Sequence, residues 1–469
     1  MTICFILIFP LVVAFIAILL RNRKLNTILL IASPVLYLIA TVRLAIHNEQ
    51  FTRYFRVDDS NVIFLVVLAV IYIASSIQSM NFLSRPDIDD RRHTYFTVAM
   101  LTFVFSMTGV ILSTHLGLLW VFVEATTLSS AFFVYMERSK ASLEATWKYV
   151  FICSIGIAIA FIGITFFSIG AKQVNSLFFD DLFNNVALIS PFWLKFSFPF
   201  ILVGFGTKVG LAPMHAWLPD AHSESPAPAS AMLSGTLLNT AMLGILRVFK
   251  IMEGAGLGYY ASTLLMVTGF ASLFICAVYI LKVVNYKRML AYSSVENMGI
   301  IAIGVACGGA GLFAAYLHII CHSLAKSSLF LTAGNIYATF KTKKIEEVKG
   351  LLKTDPMNGW LWIISFFAIT GFPPSPIFIS EFLIARELFE SGSYVLLALY
   401  FFLLTIIIYG MGSTVLKMSF GNSVEGSHQV AVKYRLLSVF PQILLLSLML
   451  ILFVSMPDFV YNMISAVAG

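Results

Sequence analysis

The chain has 469 residues, 59% of them hydrophobic and only 11% charged, with a mean hydropathy of +0.92 and a formal net charge of +7. That composition lies outside the range of soluble domains and among polytopic membrane proteins, and it leaves no room for a large soluble domain. Five cysteines, Cys4, Cys153, Cys276, Cys307 and Cys321, fall in apolar runs without any Cys-x-x-Cys pairing, so neither iron-sulfur ligation nor a disulfide framework is supported and packing is their expected role.

Fourteen apolar runs of spanning length, about 20 residues each, predict fourteen membrane helices. The first, Ile3 to Leu20, carries its cations after it, at Arg21, Arg23 and Lys24, the reverse of a cleaved signal peptide, and is therefore expected to be retained. Thr27 to Ile46 and Asn61 to Met80 complete an N-terminal group over residues 1–93. Thr94 to Ser113, Leu116 to Met136, Leu143 to Ser168, Phe192 to Leu211 and Ala229 to Phe249 form a five-span unit over 94–250. Tyr260 to Leu281, Met289 to Cys307, Leu312 to Phe340, Gly359 to Phe389 and Tyr394 to Met418 form another over 258–418. Leu436 to Ile464 lies in the C-terminal segment 419–469. The eleventh and twelfth runs are overlong, which predicts a break in each, and the polar stretches around Glu49 to Asn61, Asn81 to Thr94 and Lys341 to Met357 read as loops.

Numbered in order, the odd loops hold Arg21, Arg23, Lys24; Arg85, Arg91, Arg92; Arg138, Lys140, Lys148; Lys282, Lys287, Arg288; Lys341, Lys343, Lys344, Lys349, Lys353; and Lys417, Lys433, Arg435, which is 20 of the 30 lysines and arginines. By the positive-inside rule these loops are cytoplasmic and both termini lie on the other side. The basic excess follows from topology and gives no reason to invoke nucleic acid.

An internal repeat accompanies this alternation. Leu119-Trp-Val-Phe-Val-Glu124-Ala-Thr and Ala291-Tyr-Ser-Ser-Val-Glu296-Asn-Met each set a glutamate inside a span, and each is followed by a proline-interrupted span bearing an ionisable residue. Glu124 to Lys208 is 84 positions and Glu296 to Glu381 is 85. Two units with an odd number of spans stand inverted in the membrane, an arrangement that places transport sites near the midplane.

The most informative stretch is Gly204-Phe-Gly-Thr-Lys208-Val-Gly-Leu-Ala-Pro213-Met-His215-Ala-Trp-Leu-Pro219-Asp220-Ala-His222-Ser-Glu224-Ser-Pro226-Ala-Pro228, set between two apolar runs. A lysine near the centre of a span costs about 2.5 to 3.5 kcal/mol on insertion scales, so such charges face a protein interior or a water-filled path. Proline at that depth interrupts a hydrogen-bond ladder that lipid cannot repair, and Pro213 and Pro219 predict a discontinuous helix presenting Lys208 to an ion pathway. Thr370-Gly-Phe-Pro373-Pro374-Ser-Pro376 predicts the second break, with Glu381 just beyond it. The first stretch resembles the broken seventh helix of the antiporter-like subunits shared by respiratory complex I, Mrp-type cation/proton antiporters and energy-converting membrane-bound hydrogenases. Trp-Val-Phe-Val-Glu-Ala-Thr-Thr-Leu, Glu144-Ala-Thr-Trp-Lys-Tyr-Val, Leu-Leu-Asn239 and His322-Ser-Leu-Ala-Lys-Ser-Ser are most similar to the hydrogenase-4 component F branch. The resemblance runs through most of Glu124 to Glu381 and implies an all-α polytopic fold of about fourteen helices, with two inverted five-helix repeats and breaks in helices 7 and 12.

The polar residues inside the spans then fall into a line. Glu124 needs a partner, and Lys208 is the obvious one; at about 4 Å and an effective dielectric near 20 such a pair is worth about 4 kcal/mol. Changing that separation would load or unload a proton, while a static ion pair locking two helices is the alternative. His318, His322 and Lys326 recur every four residues and so share one helix face; histidine titrates near neutral pH, which suits a proton wire, whereas polar glue between helices is the other reading. A metal pair is disfavoured, because no acidic third ligand follows. The resemblance implies functional roles for Glu124 and Lys208, a linking role for His222, and an exit-side role for Glu381. Asn239 stands where several complex I relatives have lysine, leaving the central relay to the histidines and Lys326, and Glu296 is a secondary member. The missing long lateral helix also fits a hydrogenase-type subunit.

Together these readings predict a non-catalytic proton-translocating subunit of a redox-driven inner-membrane complex, of the group 4 membrane-bound [NiFe] hydrogenase or formate hydrogenlyase type. Its cofactors, nickel-iron and iron-sulfur centres, would sit in partner subunits of a peripheral redox arm, and further antiporter-like subunits are expected beside it in the bilayer. A subunit of an Mrp-type Na+/H+ antiporter, or of complex I, is the alternative.

Overall fold

The computed structural model describes residues 1–47, 50–421 and 435–468. Glu49, at the start of the first predicted polar loop, and Lys433, one of the cations in the topology count, lie outside the described residues, as does the side chain of Arg435. Helices α1 (Thr2–Leu20), α2 (Arg23–Ile46) and α3 (Asp59–Leu83) come first, with a small hairpin of β1 (Gln50–Thr52) and β2 (Phe55–Arg56) between the last two. The first unit comprises α4 (Asp90–Leu112), α5 (Leu116–Val134), α6 (Lys140–Gly170), the short α7 (Phe179–Asn184), α8 (Pro191–Val209), α9 (Leu218–Glu224), α10 (Ala227–Met232) and α11 (Leu238–Gly254). The second comprises α12 (Gly258–Ile280), α13 (Tyr286–Cys307), α14 (Gly309–Phe340), the short α15 (Leu351–Thr354), α16 (Pro356–Ile369), α17 (Pro376–Glu390) and α18 (Tyr394–Ser419), followed by α19 (Arg435–Val454) and α20 (Asp458–Ala468).

Twelve helical segments among the described residues are long and apolar enough to cross a membrane. The 32-residue α14 and the pair α16 and α17 supply the remaining two of the fourteen predicted crossings. Helix starts follow local chemistry: Asn22, Asp58, Asp89, Ser139 and Asn285 each accept backbone N–H bonds as N-caps, satisfying donors that the first turn leaves orphaned. Between helices, small residues allow close approach, as where Gly163 of α6 meets Ile201 of α8 and Gly269 of α12 meets the Gly299 carbonyl of α13.

Both expected breaks are present. Helix α8 stops at Gly210, whose φ of 82° puts it in the left-handed region that glycine tolerates at helix ends. A 3-10 turn, Met214–Trp217, then leads into α9, with Pro219 inside its first turn. The freed backbone is covered: Trp217 Nε1 donates to the Thr207 carbonyl at 2.7 Å, and the Ser272 hydroxyl accepts from the Ala212 N–H at 2.9 Å. At the second break, Pro373 and Pro374 lie in the turn between α16 and α17, and Ser375 accepts from Ile377 N while donating to the Ala368 carbonyl at 2.7 Å.

Two span predictions need correction. The eleventh is one continuous helix, α14, because no proline interrupts it; Gly309 and Gly311 fall in its first turn, and Gly334 packs against Ala227. The fourteenth is two helices, α19 and α20, parted at residues 455–457, where Pro457 cannot extend the ladder. In chain order, α5 begins after a Lys/Arg-poor loop and α13 after a Lys/Arg-rich one, as the expected inverted repeat requires. Helices α10, α11 and α14 form the centre; residues 227–249 are buried throughout.

His115, between α4 and α5, caps α5 by accepting the Gly117 and Leu118 N–H groups on Nδ1. Burial and the neighbouring Arg53 hold its pKa below the usual histidine value. A group held neutral in this way contributes stability above the unfolded-state pKa, near 6.5, that is lost as pH falls below it. Thermal unfolding of the purified protein at pH 7.5 and pH 5 should therefore show a smaller acid-dependent loss for His115→Asn, which keeps a capping acceptor that does not titrate, than for wild type. Equal losses would remove His115 as the cause.

Candidate functional site

The first half of the polar line is assembled by α5, α6 and α8. Lys208, in the last turn of α8, is fully buried. Its ammonium donates to Thr127 Oγ1 at 2.9 Å and to the Tyr149 hydroxyl at 2.7 Å, and it lies 4.7 Å from the centre of the Tyr149 ring. Tyr149 in turn shares a hydrogen bond with Ser130 at 2.5 Å and packs on Trp217, with ring centres 4.8 Å apart. Glu124 accepts from the Ser154 hydroxyl at 2.9 Å and from Thr127 Oγ1 at 3.5 Å. The expected direct Glu124–Lys208 ion pair is therefore not made. Thr127 stands between them, because it lies one turn along α5 from Glu124 and meets the lysine first. Glu124 itself is half-buried.

The centre is drier in partners. His222 of α9 is buried and stacks on Phe330 of α14 at 4.9 Å, yet neither ring nitrogen bonds a protein group. Neither nitrogen of His322 makes a hydrogen bond of good geometry, although the Ser234 backbone lies beside its ring. Asn239 donates to Ser323 Oγ at 2.6 Å and to the Gly235 carbonyl at 2.9 Å, while its Oδ1 has no protein partner. It follows a π-helical turn, Leu233–Leu237, of the kind often found at functional positions. Lys326, one turn beyond His322 and fully buried, donates to the Leu290 carbonyl at 2.9 Å.

The second half is tied together more tightly. His318 bonds Ser380 of α17 through Nδ1 at 2.9 Å and Asn297 of α13 through Nε2 at 3.0 Å. Asn297 reaches Glu296 at 3.5 Å, and Glu296, 3% exposed, accepts from Ser293 at 3.0 Å. Glu381 sits past the second break with its carboxylate against Gly371, where a Cβ would collide with it. The buried hydroxyl of Tyr400 lies within electrostatic reach of Glu381 and Glu296. Asp220 and Glu224 lie at the Lys/Arg-rich face in ion pairs, Asp220 with Lys148 at 3.2 Å and with Arg288, Glu224 with Lys343 at 3.0 Å.

Sequence reading missed Thr127, Tyr149, Ser130, Asn297 and Ser380. Thr127 (one turn from Glu124), Tyr149 and Asn297 (next to Glu296) all lie within the quoted motifs, and that proximity is the usable signal. Among the described residues no group of three His, Cys, Asp or Glu side chains is placed to hold a metal ion.

Inverted repeats with two broken helices around a row of buried ionisable groups define an antiporter-like membrane subunit. The chain belongs to the family described as NADH:quinone oxidoreductase/Mrp antiporter, transmembrane, whose model matches residues 113–408. It is 37% identical over 401 residues to a hydrogenase-4 component F homolog of Methylacidiphilum infernorum, covering 81% of this chain and 82% of that one. Its fold is shared with a chain of an archaeal membrane-bound sulfane sulfur reductase, at a TM-score of 0.87, 21% identity and coverage of 99% and 96%. It is shared equally with a chain of the Mrp complex from Dietzia sp. DQ12-45-1b, at 0.87, 18% identity and the same coverages. Both neighbours belong to multi-subunit membrane complexes, and the chain is a multi-pass membrane protein.

Replacing Thr127 by valine should leave the buried ammonium one hydrogen bond short, at a cost of about 1.5 to 3 kcal/mol for a bond to a charged group. A Thr127→Val protein unfolding at the wild-type temperature would show that the Lys208–Thr127 contact carries no energy.

Proposed function

We propose that the chain moves protons across the membrane as a subunit of a redox-driven complex, of the group 4 membrane-bound [NiFe] hydrogenase or formate hydrogenlyase type. What carries the reading is the row of titratable groups running from the half-buried Glu124 and the buried Lys208, past His222, His322 and Lys326, to His318 and Glu296, all buried, and the half-buried Glu381. The similarity to a hydrogenase-4 component F homolog supports the choice of complex. Nickel-iron and iron-sulfur centres would then belong to partner subunits, and the Lys/Arg-rich face would be cytoplasmic in an inner membrane.

In this reading Lys208 holds a proton while Thr127 and Tyr149 accept from it. Glu124, one hydroxyl away, sets how readily that proton leaves: a charged carboxylate favours the ammonium, and a neutralised or displaced one releases it. His222, His322 and Lys326 relay the proton between the repeats, with Asn239 orienting the path beside them. His318 links the relay to Glu296 and Glu381, the exit side. Each proton moved outward works against about 2.3 kcal/mol per 100 mV, which redox chemistry elsewhere in the complex would supply. A subunit of an Mrp-type Na+/H+ antiporter or of complex I is the second reading, favoured by the equal fold similarity to the Mrp chain.

Two measurements test this. Purification in mild detergent should bring down nickel- and iron-sulfur-containing subunits; co-purification with small membrane subunits alone would favour the antiporter. Lys208→Ala should abolish coupled proton movement in membrane vesicles while the complex still assembles, and undiminished pumping would overturn the pathway.

A further inference from the structure

The structure places one cation where loop-counting does not expect it. Lys287, grouped by sequence with the loop residues Lys282 and Arg288, lies in the first turn of α13 and is only 4% exposed. It lines a cavity of about 400 Å³ on the Lys/Arg-rich face, whose walls include Arg85, Glu137, Glu224, Pro226 and Lys343. The charged groups facing it from the neighbouring elements are Lys343, Glu224, Glu137 and Arg85. Of the other cations lining it, Lys343 pairs with Glu224 at 3.0 Å and Arg85 with Asp87 at 2.8 Å and Glu137 at 3.0 Å, while Lys341 is exposed to solvent. Among the described residues Lys287 forms no ion pair; its ammonium donates to the Ser225 carbonyl at 2.7 Å. Ser225 directly follows α9, the helix that carries His222. His222 faces both Lys287 and Lys326 electrostatically, and its two ring nitrogens are buried without a protein partner.

A cavity open to one face therefore ends on a buried, unpaired amine, and behind that amine lies a buried imidazole with both nitrogens free. We propose that this cavity is the entrance to the polar line from the Lys/Arg-rich face, and that Lys287 takes protons from water in it and delivers them to His222. The inference rests on the proton-translocating reading given above. The step balances: the neutral amine accepts one proton from the cavity to become ammonium, and the ammonium returns one proton to an imidazole nitrogen, directly or through solvent. No carboxylate pairs with the ammonium directly, since Glu224 and Glu137 are engaged by Lys343 and Arg85, and that separates Lys287 from these ion-paired neighbours. The structural alternative is that Lys287 only caps the carbonyl at the end of α9, a task any permanent cation performs.

The two roles are separated by charge-conserving replacement in the assembled complex in inverted membrane vesicles. Arginine keeps the charge and the donor but does not give up its proton. Lys287→Arg and Lys287→Met should each lower coupled proton uptake by a factor on the order of 10 to 100, the scale of a lost positioned proton-transfer group, with subunit composition unchanged. Lys287→Cys should behave likewise, and reaction with 2-aminoethyl methanethiosulfonate, which rebuilds an amine at that position, should recover most of the uptake; the same reagent on wild type controls for the native cysteines. Wild-type uptake in Lys287→Arg alongside impaired Lys287→Met would assign the residue to capping and overturn the proposal, as would wild-type uptake in all three. Lys208→Ala run in parallel keeps the two readings apart. If it stops uptake while the Lys287 variants do not, only the entrance is wrong, and if it does not, the pathway itself fails.

Discussion

The cost of keeping an ammonium away from water governs the first half of this fold. Even after relaxation, the penalty for burying one ion is several kcal/mol, and Lys208 meets it without a carboxylate in contact. Its compensation is two hydroxyls and the faces of two aromatic rings. Those neutral partners hold the side chain in place without fixing its charge, whereas a contacting carboxylate would make the charged form permanent. Glu124 is kept one hydroxyl away by Thr127, and that spacing lets the carboxylate bias the lysine without locking it. The interrupted helix is part of the same solution, since Trp217 both packs on the Tyr149 ring and bonds the backbone carbonyl of Thr207 beside Lys208.

The second unit meets the same requirement with the opposite charge. Glu381 follows its break where Lys208 precedes the first, and a glycine at 371 gives its carboxylate room. Glu296 is held by Ser293 and Asn297, and Asn297 hands on to His318, so α13, α14 and α17 are joined by side-chain hydrogen bonds alone. Polar contacts between membrane helices contribute on average well under 1 kcal/mol each. A chain of them fixes register more than it adds stability.

Much of this was legible in the sequence, because a few local rules act strongly in lipid. Prolines 213, 219, 373 and 374 announced both breaks, and the matched separations of Glu124 to Lys208 and Glu296 to Glu381 announced the repeat. Histidines 318 and 322 and Lys326 were placed on one face by their spacing. What stayed hidden depends on how far helices rotate and slide against each other. Opposite charges in neighbouring spans suggest contact, but the reach of a lysine from α8 and the turn of α5 that carries Thr127 are tertiary facts. A hydroxyl such as Thr127 or Ser380 ordinarily returns to its own helix backbone, so nothing local marks it as a bridge. Lys287 was misread for a related reason: a cation near a span end usually faces solvent, and only the packing of α9 over α13 buries it.

The distribution of satisfied and unsatisfied groups along the line is uneven in a way that bears on how it works. Lys208, Glu124, His318 and Glu296 make side-chain hydrogen bonds of 2.7 to 3.0 Å, while the seam between the repeats holds His222, His322 and the Asn239 carbonyl oxygen without hydrogen-bonded protein partners. Buried polar atoms in folded proteins are rarely left this way, and here they cluster beside a π turn, where the helix ladder is already shifted. Fixed ends and an unfixed middle suit a relay: end groups must keep a defined geometry to sense charge arriving from a neighbouring subunit or face, whereas groups that pass a proton on must exchange partners. On the proposed proton-translocating reading, a fully bonded seam would bind each proton in one arrangement and oppose the next transfer.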